Sequence, residues 1–126
     1  MIYNGSEEYK VRFYKDPKTN IEPVLKYLDS LPEKEKFKAL KYIEELRRHG
    51  GYLNEPYSKH IEGKIRELIV DFAKNHHRIF YFTFVGKNII MLHAFLKKTK
   101  RTPPGEIKKA KDCYINVLKK YENQNN

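Results

Sequence analysis

Tyr9 to Tyr14 reads YKVRFY, alternating apolar and polar side chains until Asp16 and Pro17 stop it, and this predicts a first strand. From Ile21 to Leu31 the period changes. Val24, Leu25, Leu28 and Leu31 fall on one helical stripe, with Pro23 tolerated in a first turn. Ser30 or Leu31 then precedes Pro32, an early-helix proline, and Phe37, Leu40, Ile43 and Leu46 recur every three residues. Arg47, Arg48, His49 and the pair Gly50 and Gly51 close that second helix. After a loop marked by Asn54 and Pro56 come three runs rich in β-formers: Ile61 to Phe72, Arg78 to Val85 and Ile89 to Lys97. Their connections, Ala73 to His77 and Gly86-Lys87-Asn88, are short enough for hairpins. Thr102 and Pro103 read as an N-cap and a first helical residue. Ile107, Ala110, Tyr114, Val117, Leu118 and Tyr121 then make one stripe.

The expected order is β-α-α-β-β-β-α without repeats, an α+β class in one domain spanning residues 1–126, with 122–126 as a polar tail. Helices on one face of such a sheet would leave the other face open, and an open face lined with Lys and Arg could receive RNA.

Charge sharpens that picture. Residues 1–63 carry 12 basic and 11 acidic groups, whereas residues 64–126 carry 14 basic and 5 acidic, so nearly all of the net +10 belongs to the second half. A field that one-sided attracts polyanions, nucleic acid first and an acidic protein second. The single cysteine, Cys113, cannot form an internal disulfide, which fits a reducing compartment, and the cytoplasm is the expected location. The apolar stretches Ile79 to Val85 and Ile89 to Leu96 fall far below the roughly 20 residues of a membrane span, so neither membrane anchor nor signal peptide is expected.

The chain has no glycine-rich phosphate loop, no GxSxG, no CxxC and no HExxH. Cys113 sits in a helical stripe and reads as a structural thiol. His76 and His77 are adjacent on a strand and should point to opposite faces, so no metal site and no cofactor is expected. What remains is a set of basic strand residues: Lys64, Arg66, Arg78, Lys97 and Lys98, with Tyr81 and His93 between them. A solvated face is the plain reading of these residues. Arg78 inside HRIFYF and His93 inside MLHAF lie among core-forming neighbours instead.

At these residues a family resemblance becomes specific. Ile65-Arg66-Glu67-Leu68, His77-Arg78-Ile79-Phe80-Tyr81, and Leu92-His93-Ala94-Phe95-Leu96-Lys97-Lys98-Thr99 followed by Thr102-Pro103 and a helix near Glu106 together resemble the HigB-like branch of the RelE/ParE toxin superfamily. The resemblance implies a RelE-like fold: a mostly antiparallel sheet of an N-terminal strand plus a three-stranded meander, with two N-terminal helices and a C-terminal helix. It implies the toxin of a type II toxin-antitoxin pair, a ribosome-dependent endonuclease cutting translated messenger RNA in the A site. It also implies a small helix-turn-helix antitoxin, HigA-like, as partner in an oligomeric complex. The pattern departs at one position. The family commonly has Arg directly after the Glu-Leu pair, where this chain has Ile69.

Metal-free RNA cleavage needs a base for the 2′-OH, charge stabilisation at the phosphate and an acid for the leaving 5′-oxygen. Arg66 and Arg78 are candidates for the charge, since a guanidinium presents a planar fork. The acid and base stay open between His93 and a lysine of lowered pKa, Lys97 or Lys98. Lys64, Lys97, Lys100, Arg101 and Tyr81 are the expected RNA contacts. If the turn pairs Val85 with Ile89, Tyr81 opposes His93 on one face while Arg78 opposes Leu96 on the other. A bulge or one-residue slip would reunite some of them, and Lys98 beyond the strand end could reach Arg78 from either side, so Arg66, Arg78 and Lys98 rank above His93. A gyrase-inhibiting relative of the same fold and a non-catalytic ribosome- or nucleic-acid-binding module are the competing functions.

Overall fold

In the computed structural model, which describes residues 8–124, five strands form one mixed sheet in the order β1-β5-β4-β3-β2. The elements are β1 (Lys10–Phe13), α1 (Pro23–Asp29), α2 (Glu33–Arg48), β2 (Ser58–Glu62), β3 (Ile65–Phe72), β4 (Asn75–Phe84), β5 (Asn88–Leu96) and α3 (Pro104–Gln124). The class is α+β, as expected, but the sheet has five strands where an N-terminal strand plus a three-stranded meander, four in all, was expected. The run from Ile61 to Phe72 is broken by a turn at Gly63-Lys64, and Ser58 to His60, expected to be loop, pair with Leu68 to Arg66 in an edge strand that runs on to Glu62, opposite Ile65. β1 joins the opposite edge in parallel with β5, Lys10 beside Asn88 and Phe13 beside Met91. α3 runs through Glu122 to Gln124, three of the five residues expected as tail, while 125–126 lie outside the described residues.

Both faces of the sheet are covered, which corrects the open-face expectation. α1 and α2 close one face over Val24, Leu28, Ala39, Ile43 and Leu46, packed on Leu68, Val70, Ile79, Tyr81, Ile89 and Met91. α3 lies on the other face, its Ile107, Ala110, Tyr114 and Val117 against Phe80, Phe82, Ile90 and Leu92. Two apolar faces explain why β4 and β5 read as near-continuous hydrophobic runs. No helix among the described residues is long and apolar enough to cross a membrane.

Two backbone details set the faces. β3 and β4 are joined by a two-residue turn at Ala73-Lys74, Phe72 pairing with Asn75, and Ala73 takes a φ of 52°. β4 and β5 start with Phe84 opposite Asn88 and shift register after Tyr81 opposite Met91, so that Phe80 faces His93. The extra residue puts Leu92 and His93 on the same, α3-facing side, the geometry of a β-bulge. After α2, Gly51 has φ +90°, and a Cβ there would stand 2.1 Å from Thr83 Oγ1. Only glycine lets this chain pass so close to the sheet.

Candidate functional site

Ile69 pairs with Arg78, and side chains two apart on a strand share a face, so Glu67, Ile69 and Asp71 of β3 stand with Arg78 and Phe80 of β4 on the α3 side. α3 does not reach this end of the sheet. It leaves a cleft of about 590 Å³ lined by Asp71, Asn75, His76, Arg78 and the run Leu96 to Lys100, with Lys74 at the turn. Arg78 is buried on its stem, and its Nη1 donates to Asp71 Oδ1 at 2.7 Å and to its neighbour's carbonyl, His77 O, at 3.0 Å. That clamp leaves Nη2 without a hydrogen-bond partner among the described residues. His76 Nδ1 lies 3.0 Å from the same Asp71 oxygen. Burial pushes the Asp71 carboxyl up, but hydrogen bonds from Arg78 and His76 outweigh it and hold the group below the usual range.

Across the cleft, the backbone N–H of Lys97 donates to His76 O at 2.8 Å, which extends the β4–β5 ladder by one rung and fixes where the lysine run begins. Among the described residues the side chains of Lys97, Lys98 and Lys100 form neither ion pairs nor hydrogen bonds. Burial, and then the nearby charge of Lys59, drive the Lys97 ammonium below the ordinary lysine value, with Arg78 adding to the repulsion. The cleft therefore holds one oriented guanidinium and an amine whose charged form is less favoured than that of an exposed lysine.

The structure separates the residues that the sequence grouped together. Arg78, Lys97, Lys98 and Lys100 line the cleft, and Arg101 follows them, exposed, on the connection to α3. Arg66 is on the opposite face. It pairs with Tyr81 across β3 and β4, its Nη2 donates to Ser58 Oγ at 2.9 Å, its Nε lies 3.3 Å from Tyr81 Oη, and its guanidinium rests 4.7 Å above the Tyr52 ring. Tyr81 is fully buried there and donates to Gly51 O at 3.0 Å, so it cannot contact RNA, and burial raises its pKa. Lys64 is exposed in the β2–β3 turn, away from the cleft. His93 is on the correct face but half-buried, stacked against Phe80 and Phe95 and hydrogen-bonded through Nε2 to Glu106 of α3. It stands diagonal to Arg78, whose direct partner is Phe95, and such neighbours are about 7–8 Å apart.

His77 and His76 do point apart. His77 is buried under α1 and α2, its Nδ1 2.6 Å from Tyr27 Oη and its Nε2 2.7 Å from Glu35 Oε1. No group of three or more His, Cys, Asp or Glu among the described residues could hold a metal ion. Cys113 is half-buried, and burial pushes its thiol up to about 11.

Sequence reasoning missed Asp71 and Glu67. Recognising a two-residue turn at Ala73-Lys74 would have found both, because that register puts them on the face of Arg78.

A family model described as phage derived protein Gp49-like (DUF891) matches residues 26–114, a span that includes α2, all of β2 to β5 and the first half of α3. The chain belongs to this Gp49-like family. It is a toxin-like family related to RelE and HigB, so the toxin character expected from the sequence holds at that level. The matched span contains every residue lining the cleft. No curated protein matches the chain.

Proposed function

We propose that this Gp49-like protein is the toxin of a toxin-antitoxin pair and a HigB-like endoribonuclease that cuts messenger RNA in the ribosomal A site. The observation that supports this most is Arg78, clamped at Nη1 by Asp71 and free at Nη2, facing the unpaired lysines 97, 98 and 100. A scissile phosphate between them would meet a preorganised donor aimed at its developing charge. Lys97, its pKa lowered by burial, takes the 2′-OH proton, and the oxygen attacks phosphorus to give a 2′,3′-cyclic phosphate and a 5′-hydroxyl. His93, oriented by Glu106, is the remaining candidate to protonate the leaving oxygen. Lys98, Lys100 and Arg101 hold the strand by its phosphates. A small helix-turn-helix antitoxin is the neutralising partner in an oligomeric complex.

The test is a reconstituted translation reaction on a defined message, with 5′ ends mapped with and without the protein and with Arg78→Ala as control. Cuts within codons that require ribosomes and vanish in the variant are the expected result. An intact message overturns the reading and leaves DNA supercoiling by gyrase as the next assay.

A further inference from the structure

Glu67 is the most deeply buried carboxylate among the described residues, with no solvent exposure. Taking a carboxylate out of water is costly unless charges and hydrogen bonds surround it, and here its neighbours come from three elements. Oε1 stands 3.8 Å from Arg78 Nε in β4 and 3.8 Å from Lys59 Nζ in β2, and Oε2 accepts from Thr102 Oγ1 at 3.3 Å, just before α3. Lys97 and Asp71 complete the set of charges nearby. Glu67 Oε1 and Arg78 Nε are both buried, and neither has a hydrogen-bond partner. At 3.8 Å their attraction is electrostatic rather than a hydrogen bond, so it depends on charge and not on shape.

We infer that Glu67 is a positioning residue of the cleft, holding the Arg78 guanidinium and the Thr102 end of the lysine connection from beneath so that both sides present to one phosphodiester. The inference rests on the nuclease reading for its consequence in catalysis, while the hold on Arg78 stands independently of it. Asp71 grips Nη1 from the solvent side and Glu67 draws Nε from the buried side, which leaves Nη2 without a hydrogen-bond partner among the described residues. Thr102 ties the same carboxylate to the segment that carries Lys97 to Arg101. One buried charge thus fixes the distance across the cleft.

Glu67→Gln keeps the shape and can still accept from Thr102, but it removes the attraction on Arg78. A residue with only a structural role would lower stability and drag binding and turnover down together. A positioning carboxylate instead splits them. With one negative charge gone the cleft binds anions equally well or severalfold more tightly, while turnover at saturating message falls about tenfold with KM unchanged or lower.

The experiment combines thermal melting, side-chain ¹⁵N spectra of the arginine Nε groups during titration with inorganic phosphate, and message cleavage in the reconstituted system. The Arg78 signal is assigned by its loss in Arg78→Lys. We expect Glu67→Gln to fold, to broaden the Arg78 resonance relative to wild type, to keep or increase phosphate affinity, and to lose turnover. Thr102→Val, which leaves the Glu67 charge in place, should broaden the Arg78 resonance and lower turnover at about a third of the size with phosphate affinity unchanged, and it carries the test if Glu67→Gln does not fold. An unchanged Arg78 resonance in the folded variant overturns the inference, as does a parallel loss of affinity and turnover. Wild-type protein that leaves messages intact overturns the nuclease reading, and the spectra still decide whether Glu67 holds Arg78.

Discussion

Each face of the sheet carries one arginine from the central hairpin, and the two are built for opposite ends. Under α1 and α2, Arg66 donates into a closed chain in which Ser58 Oγ and Tyr81 Oη pass hydrogen bonds on to Gly51 O, and Tyr52 covers the guanidinium. Farther along the same face Tyr27, His77 and Glu35 form a second network, joined by Asn75. On the α3 side, Arg78 is gripped by Asp71 and Glu67 yet keeps Nη2 uncommitted at the wall of a cleft. Buried polar networks with every member satisfied rigidify a core, whereas one held rigid with a donor left over is suited to binding. Counting basic residues on strands cannot separate these cases. Where each donor hydrogen goes can.

The largest effect expected from this contrast is on cleavage. Arg78→Lys, which keeps a positive charge beside the buried Glu67, should lower it by about 100-fold or more, the cost typical of losing one oriented charge donor, with a smaller change in melting temperature than Arg78→Ala, which strands that carboxylate. Arg66→Ala should do the reverse, leaving Ser58 and Tyr81 short of a donor and costing about 1–2 kcal/mol of stability while cleavage stays within about threefold. Measuring melting and initial cleavage rates on both variants breaks the comparison if their effects coincide.

Next in size is the closed network itself. His77→Ala takes away the partner shared by Tyr27 of α1 and Glu35 of α2, leaving Glu35 only Asn75 and opening a cavity under the helices, and denaturant melts should show a loss of about 3 kcal/mol. The pH dependence follows from the same contacts. The hydrogen bond from His77 holds the Glu35 carboxyl below its ordinary value, so its contribution to stability is complete above the usual carboxylate range. It is lost as pH falls through the depressed value. Wild-type protein should therefore lose stability toward acid, and Glu35→Gln should be weaker at neutral pH with a flatter acid dependence. Tyr27, pushed up to about 12 by burial and then by the Glu35 charge, stays neutral throughout that window.

The sequence carried a large part of this arrangement. The stripes of α1, α2 and α3 were readable because each helix buries one face, and Arg78 stood out because a charge inside HRIFYF needs a partner or a cleft. The two faces were not readable because they depend on parity, and parity depends on a turn. Ala73-Lys74 has none of the residues that usually mark a two-residue turn, yet Ala73 adopts positive φ, and a loop read three residues too long hides that Arg78, on the next strand, shares a face with Asp71. His93 illustrates the same limit. Its side of the sheet is set by the bulge after Leu92, which alternation alone does not announce. Glu67 looked like any acidic strand residue, since its burial comes from Arg78, Lys59 and Thr102 arriving from elsewhere in the chain.

A smaller effect should mark Lys97. Its ammonium is depressed by burial and by Lys59, so more of it is neutral at a given pH than of an exposed lysine, and cleavage should rise as pH climbs through that lowered value. Lys97→Arg keeps the charge but cannot act as a base at any accessible pH, so the rise should disappear and the plateau should drop about tenfold. A profile in Lys97→Arg that matches wild type would assign the proton to another group in the cleft, with His93→Asn as the following variant.

The smallest effects should come from the exposed cations, and they sharpen the contrast because they differ only in position. Arg101 directly follows the lysines that line the cleft, whereas Lys64 sits in the β2–β3 turn. If Arg101 contacts a phosphate, Arg101→Ala should weaken ribosome-dependent cleavage by about threefold at moderate salt. It should also reduce the slope of log affinity against log salt by roughly one contact. Lys64→Ala removes the same formal charge from a surface the RNA does not cross, so its rate and salt slope should both stay at the wild-type values. Equal salt slopes for the two variants would mean that the whole basic half attracts RNA diffusely, and the cleft would then owe its selectivity to Arg78 alone.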